Sequence, residues 1–123
     1  CARISCGRRS VPPRNWKIRI DDILKCIGKI QRFTKGYTFE DFQNDDKTID
    51  SVLRNLEIIG EAARHVPAEV RARHPDIPWT EMLTMRNIVI HEYHGVNLGI
   101  IWQTVKEDLP PLVPPLKRIL KEE

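Results

Sequence analysis

Residues 16–30 read WKIRIDDILKCIGKI, and the apolar positions Trp16, Ile20, Ile23, Ile27 and Ile30 step by four, three, four and three. That spacing lays one apolar stripe along a helix, with lysines and arginines elsewhere on its surface. Gly36 follows as a stop signal, because glycine accepts the left-handed conformation that closes many helices. The same period returns at Ile49, Val52, Leu53, Leu56, Ile59 and Ala63. It predicts a second helix over roughly Asp46–His65, in which Gly60 lets a neighbour approach closely. Phe39 and Phe42 are expected to anchor the segment between the two. From Pro67 to Pro78 the pattern is broken, with room for one short helix around Glu69–Arg73.

A third long element starts at Pro78-Trp79-Thr80, with Thr80 as its cap, and runs to about His91. Asn97 is expected to cap a last helix carrying the stripe Leu98, Ile101, Trp102, Val105, Leu109, Leu112, Leu116 and Ile119. Pro110-Pro111 and Pro114-Pro115 remove backbone donors inside that stripe, which predicts a kink or a restart. No run alternates with the period of a strand, apart from Ile88–His91, which a helix explains equally well. The expected fold is all-α: an up-and-down bundle of four main helices plus a short connector helix.

At 123 residues the chain is about one domain long. Cys1–Pro13 lacks periodicity and is expected to be a flexible N-terminal extension, leaving 14–123 as the helical domain. The formal net charge of +3 hides an asymmetry. Residues 1–19 hold six of the 20 basic groups and none of the 17 acidic ones, so 14 basic and 17 acidic groups remain, or −3. Bulk charge therefore gives no argument for nucleic-acid binding, and any such case must come from a local site. No apolar run approaches the ~18 residues of a membrane span. No stretch resembles a secretory signal, so the expected location is the cytoplasm. Cys26 sits among Ile23, Leu24 and Ile27 as a small core residue, whereas Cys1 and Cys6 lie in the polar leader. A disulfide framework or CxxC zinc pair is not expected.

The chemistry concentrates in Met85-Arg86-Asn87-Ile88-Val89-Ile90-His91-Glu92-Tyr93-His94-Gly95. Arg is always cationic and forks onto phosphate oxygens. His titrates near neutrality and can move a proton. Together they suit RNA cleavage without metal: a base takes the 2′-OH proton, the oxygen attacks phosphorus, and Arg stabilises the phosphorane. At ~100° per residue, Arg86 and Tyr93 nearly share a face, but His91 lies ~140° from Arg86. Either the helix is distorted near His91, or a second subunit completes the site across a two-fold axis. The dimer is the preferred reading. A lone Arg and His on a helix can also be a surface cation and a satisfied histidine.

The stretch Arg86-(four residues)-His91-Glu92-Tyr93 resembles the R-x4-H-x-Y signature of HepT-like toxins in the HEPN superfamily. Arg54–Ala63, Ile77-Pro78-Trp79, Met85-Arg86-Asn87, His91–Val96 and Trp102-(five residues)-Asp108-Leu109-Pro110 look like further family blocks in family order. The resemblance runs from about Arg14 to Leu120. It implies a homodimer whose subunits pair around a cleft holding both motifs. It implies a metal-independent ribonuclease toxin with Arg86 and His91 as the catalytic pair, Asn87 as a polar helper, and no cofactor. It also implies a cognate minimal nucleotidyltransferase antitoxin that transfers AMP onto Tyr93. An adenylylated Tyr93 would place bulk and negative charge in the cleft and repel RNA. One departure is Thr84, where relatives often carry Gly.

Other signals are weaker. Glu57 and Glu61 lie one turn apart near Arg54 and Arg64, a pattern of surface ion pairs. Glu57 has a second possible role, orienting Arg86 or His91 across the bundle. His91-Glu92-Tyr93-His94 spaces its histidines at i, i+3, not the i, i+4 of zinc proteases, so no metal site is expected. The substrate implied is RNA, with tRNA or mRNA as candidates, and no membrane partner is expected. A different class remains open: a catalytically silent helical dimer acting as an adaptor of a nucleotidyltransferase.

Overall fold

The computed structural model describes residues 15–92 and 97–121, with side chains for 16–86 and 97–121. The expected extension at 1–13 and the whole of Tyr93 lie outside these residues. Every regular element among the described residues is helical.

Helix α1 (Asn15–Thr34) buries the stripe read above, with Trp16, Ile20, Ile23, Ile27 and Ile30 all in the core. Cys26 joins them, and burial pushes its thiol pKa up. The helix ends with Tyr37 N donating to the Thr34 carbonyl (3.0 Å) and with Gly36 at φ 78°, the left-handed turn that only glycine adopts without strain.

The connecting segment is itself helical, and Phe39 and Phe42 anchor it against the core as expected. Helix α2 (Phe39–Gln43) starts at a capping box, in which Thr38 Oγ1 accepts from Asp41 N (3.1 Å) and Asp41 Oδ2 accepts from Thr38 N (3.0 Å). Phe42 is fully buried, its ring 5.0 Å from that of Trp102.

Helix α3 (Asp46–Arg64) is capped by Asp45, whose carboxylate accepts from Thr48 N (3.1 Å), Thr48 Oγ1 (2.7 Å) and the Tyr37 hydroxyl (2.6 Å). These bonds, that of Tyr37 foremost, hold the Asp45 pKa at about 2, below its ordinary 3.8. A depressed carboxylate pKa contributes stability that is present above about pH 4 and lost as pH falls toward 2. Tyr37→Phe removes the strongest of these bonds. The Asp45 midpoint, followed by NMR titration, is then expected to move up toward 3.8, and an unmoved midpoint would sink this account.

After α3 comes the expected connector, α4 (Ala68–Arg73). Trp79 Nε1 donates to the His74 carbonyl (2.9 Å) and fixes the entry to α5 (Trp79–Glu92). Met82 N donates to the Pro78 carbonyl (3.1 Å), so Thr80 lies inside the first turn of α5 rather than capping it. Asn97 caps α6 (Leu98–Gln103) as expected, its Oδ1 accepting from Ile100 N (3.2 Å).

The chain then widens into a π turn over Thr104–Asp108, with Leu109 N reaching back to the Thr104 carbonyl (3.1 Å). It tightens into a 3₁₀ turn at Pro110–Leu112 and resumes as α7 (Val113–Leu120). The expected break falls at Pro110-Pro111, whereas Pro114 and Pro115 occupy the first turn of α7, where a missing N–H costs little. Ile101, Val105, Leu109, Leu112, Leu116 and Ile119 are all buried along this path.

Helix α3 is the central element, packed on one side by α1 and on the other by α5, while α7 closes over α1. Val52, Leu56, Ile59 and Ala63 fill the shared core. Each fully buried aliphatic side chain there contributes roughly 1.5–3 kcal/mol by leaving water. Among the described residues no helix is long and apolar enough to cross a membrane.

Candidate active site

The site begins where α3 crosses α5. Gly60 faces the backbone of Arg86, and a Cβ at Gly60 would sit 2.9 Å from both Arg86 N and Arg86 Cβ. Real Cβ atoms do not approach backbone that closely, so the missing side chain is what lets the helices touch here. The contact fixes the height of Arg86 along α5.

The guanidinium is fixed by the next residue of α3. Arg86 Nη1 lies 3.4 Å from Glu61 Oε1, and both side chains are about two-fifths exposed (41% and 42%). Arg64 Nη1 reaches the same oxygen at 3.4 Å. Arg86 Nε is buried with no hydrogen-bond acceptor among the described residues. Arg86 is therefore a partly exposed cation paired through Nη1 with Glu61. Such a group suits a phosphate arriving from outside.

Glu57, read as a second-choice orienter of Arg86 or His91, forms no ion pair with Arg86; the carboxylate that does is Glu61. The reason is the crossing point. Glu61 adjoins Gly60, whereas Glu57 lies about 6 Å further back along the axis. Glu57 instead lines a cleft of about 320 Å³ on the α1/α3 surface, together with Arg19, Asp22, Arg54, Glu61 and His65. Glu61 thus belongs to both the cleft and the Arg86 contact. Its role was missed in the sequence, where the signal available was its place beside Gly60.

Asn87 and His91 follow Arg86 on α5, but their side chains lie outside the described residues, as does Tyr93. The backbone still settles one point. Helix α5 is helical through Glu92, so the backbone keeps an ordinary helical rotation between positions 86 and 91. The ~140° between them on an ideal helix stands.

Comparison with known proteins adds the family. The family model described as "Ribonuclease HepT-like" matches residues 23–121, which take in α3, α5 and the crossing at Gly60. This chain belongs to the HepT-like ribonuclease family. A protein named "Probable ribonuclease HepT" from Thermococcus cleftensis is 44% identical over 108 residues, covering 88% of this chain and 98% of that protein. A candidate RNase of Caldanaerobacter subterraneus is 44% identical over 101 residues, or 82% of this chain and 89% of its own. A longer protein of Methanocaldococcus jannaschii, named as a gamma-glutamylcyclotransferase and candidate RNase, is 42% identical over 109 residues. This chain covers 89% of itself in that match but only 49% of the longer protein. No solved structure matches the chain. The HepT-like assignment agrees with the all-helical bundle, and the enzyme class read from the sequence, a ribonuclease, is the class of that family.

Proposed function

We propose that this HepT-like chain is a metal-independent endoribonuclease toxin acting in the cytoplasm as a homodimer. The observation that carries the reading is Arg86, a partly exposed cation set by Gly60 and Glu61. With α5 helical through Glu92, positions 86 and 91 lie ~140° apart around its axis, which favours a site completed by a second subunit. A two-fold pairing of α5 helices supplies the missing group and places two imidazoles in one cleft.

In that cleft a neutral His91 takes the proton of a 2′-hydroxyl. The freed oxygen attacks the adjacent phosphorus, and the 5′-oxygen leaves with a proton from a second, protonated imidazole. The products are a 2′,3′-cyclic phosphate and a 5′-hydroxyl. Arg86 stabilises the charge that builds on the phosphorane oxygens, and Asn87 donates a further hydrogen bond. Tyr93 is the control point. A minimal nucleotidyltransferase antitoxin transfers AMP to its hydroxyl, releasing pyrophosphate from ATP, and the added phosphate competes with RNA for Arg86.

The test is cleavage of tRNA and total RNA by purified protein in EDTA, with His91→Ala alongside and intact mass measured first, so that modified Tyr93 does not mask activity. Cleavage is expected from the wild type and lost by about 10²–10⁴-fold in His91→Ala. An unmodified wild type that cuts none of these RNAs would overturn the enzyme reading in favour of an adaptor for the nucleotidyltransferase.

A further inference from the structure

The cleft on the α1/α3 surface carries charge that the Arg86 site does not use. Arg19 and Asp22 on its α1 side face each other at 3.9 Å. Glu61 is engaged by Arg64 and Arg86. That leaves Arg54 and Glu57, which form no ion pair with any described residue, although both line the cleft. They stand at i and i+3 on α3, with Glu61 a turn beyond Glu57, so all three share one face of the helix. Ile58 and Ala62, also one turn apart, supply an apolar floor beside them. At 1.5 Å per residue, Arg54 lies about 10 Å along the axis from Glu61 and hence from the Arg86 contact.

We propose that this cleft is the subsite for the nucleotide flanking the scissile phosphate: Arg54 takes the neighbouring phosphate and Glu57 selects a base that bears an amino group. The inference rests on the ribonuclease reading and extends it to substrate choice. An RNA strand leaving Arg86 continues over the adjoining surface, and Glu61 forms the shared wall between that contact and the cleft. A guanidinium held by no carboxylate is suited to a backbone phosphate, which sets register without reading sequence. A free carboxylate accepts only, so it selects bases that donate. The amino groups of adenine, cytosine and guanine do so, as in a Glu contact to cytosine N4. Uracil offers one N–H between two carbonyl oxygens, and a carboxylate repels both. The floor of Ile58 and Ala62 covers the face of a base splayed out of its stack, the usual way single-stranded RNA is read.

The experiment compares wild type with Arg54→Ala and Glu57→Gln on a randomised single-stranded RNA, recording KM, kcat, salt dependence and the bases beside each cut. Circular dichroism confirms that each variant is folded. Arg54→Ala is expected to raise KM about 10-fold with kcat held, and to reduce the log–log salt slope by about 1. Glu57→Gln is expected to admit uracil at the flanking position, from which the wild type excludes it. A wild type indifferent to uracil there, or an Arg54→Ala enzyme with unchanged KM and salt slope, would overturn the subsite. Failure of the ribonuclease reading looks different: no RNA is cut by any of the three proteins. In that event the same oligonucleotide, fluorescently labelled, tests the cleft by anisotropy. Equal affinity for wild type and Arg54→Ala refutes it, and weaker affinity in Arg54→Ala upholds the phosphate contact.

Discussion

Arg86→Ala is expected to lower kcat/KM for RNA cleavage by about 10²–10³-fold, the usual cost of removing one donor that meets transition-state charge. Folding is expected to survive. The side chain is 41% exposed and its pair with Glu61 is a surface contact at 3.4 Å, worth no more than about 1 kcal/mol. Tm is therefore expected to fall by only about 2–4 °C. Arg86→Lys is the sharper test. It keeps the charge but loses the planar fork that spans two phosphate oxygens. Recovery of no more than about a tenth of wild-type activity is expected. A Lys variant that cleaves like wild type would show that Arg86 acts as a point charge only. An Ala variant that does so would remove Arg86 from the reaction.

The second large effect is predicted at Gly60. A methyl group there meets Arg86 N and Arg86 Cβ at 2.9 Å, and neither atom is the movable end of a flexible side chain. Helices α3 and α5 must therefore part locally. On stability two terms oppose each other. Alanine favours a helix over glycine by about 1 kcal/mol, while overpacking costs about 1–3 kcal/mol. Net destabilisation is expected to be small, at most about 2 kcal/mol. Activity has no such compensation, because displacing a catalytic group by a fraction of an ångström to 1 Å can cost up to ~10²-fold. Gly60→Ala is thus expected to lose at least about tenfold in kcat while Tm falls by no more than about 8 °C. Gly28→Ala is the control: it sits in α1, where an added Cβ meets nothing within 4 Å, and it is expected to raise Tm and leave cleavage untouched. Should Gly60→Ala retain full activity, the crossing would not be what sets Arg86.

Much of the bundle was readable because its core repeats with the helical period. Trp16, Ile20, Ile23, Ile27 and Ile30 are buried as their spacing required, and so are Leu109, Leu112, Leu116 and Ile119. Helix α2 was not read, since five residues are too few for a period to show. Its capping box, Thr38 with Asp41 three residues on, was the signal on offer. At the site, Arg86 was legible from its neighbours in sequence and Gly60 as a point of close approach. Which carboxylate would serve Arg86 was not legible. Glu57 and Glu61 share a face of α3, and only the position of the crossing distinguishes them, which is a property of two helices together and of neither alone.

The last part of the chain shows how length can be locked where composition suggests freedom. A segment containing Pro110, Pro111, Pro114 and Pro115 looks like a linker that would accept a residue more or less. Here a slack turn at Thr104–Asp108 is followed at once by a taut one at Pro110–Leu112. The first lags the ordinary helical rotation and the second overtakes it, so the two act as a phase correction that returns Leu116 and Ile119 to the line of Ile101 and Val105. Removing one residue from either turn would swing everything downstream by about 100° and carry those side chains out of the core. The proline-rich stretch is thus a timing element, intolerant of insertion or deletion although many single substitutions on its outer side would pass unnoticed.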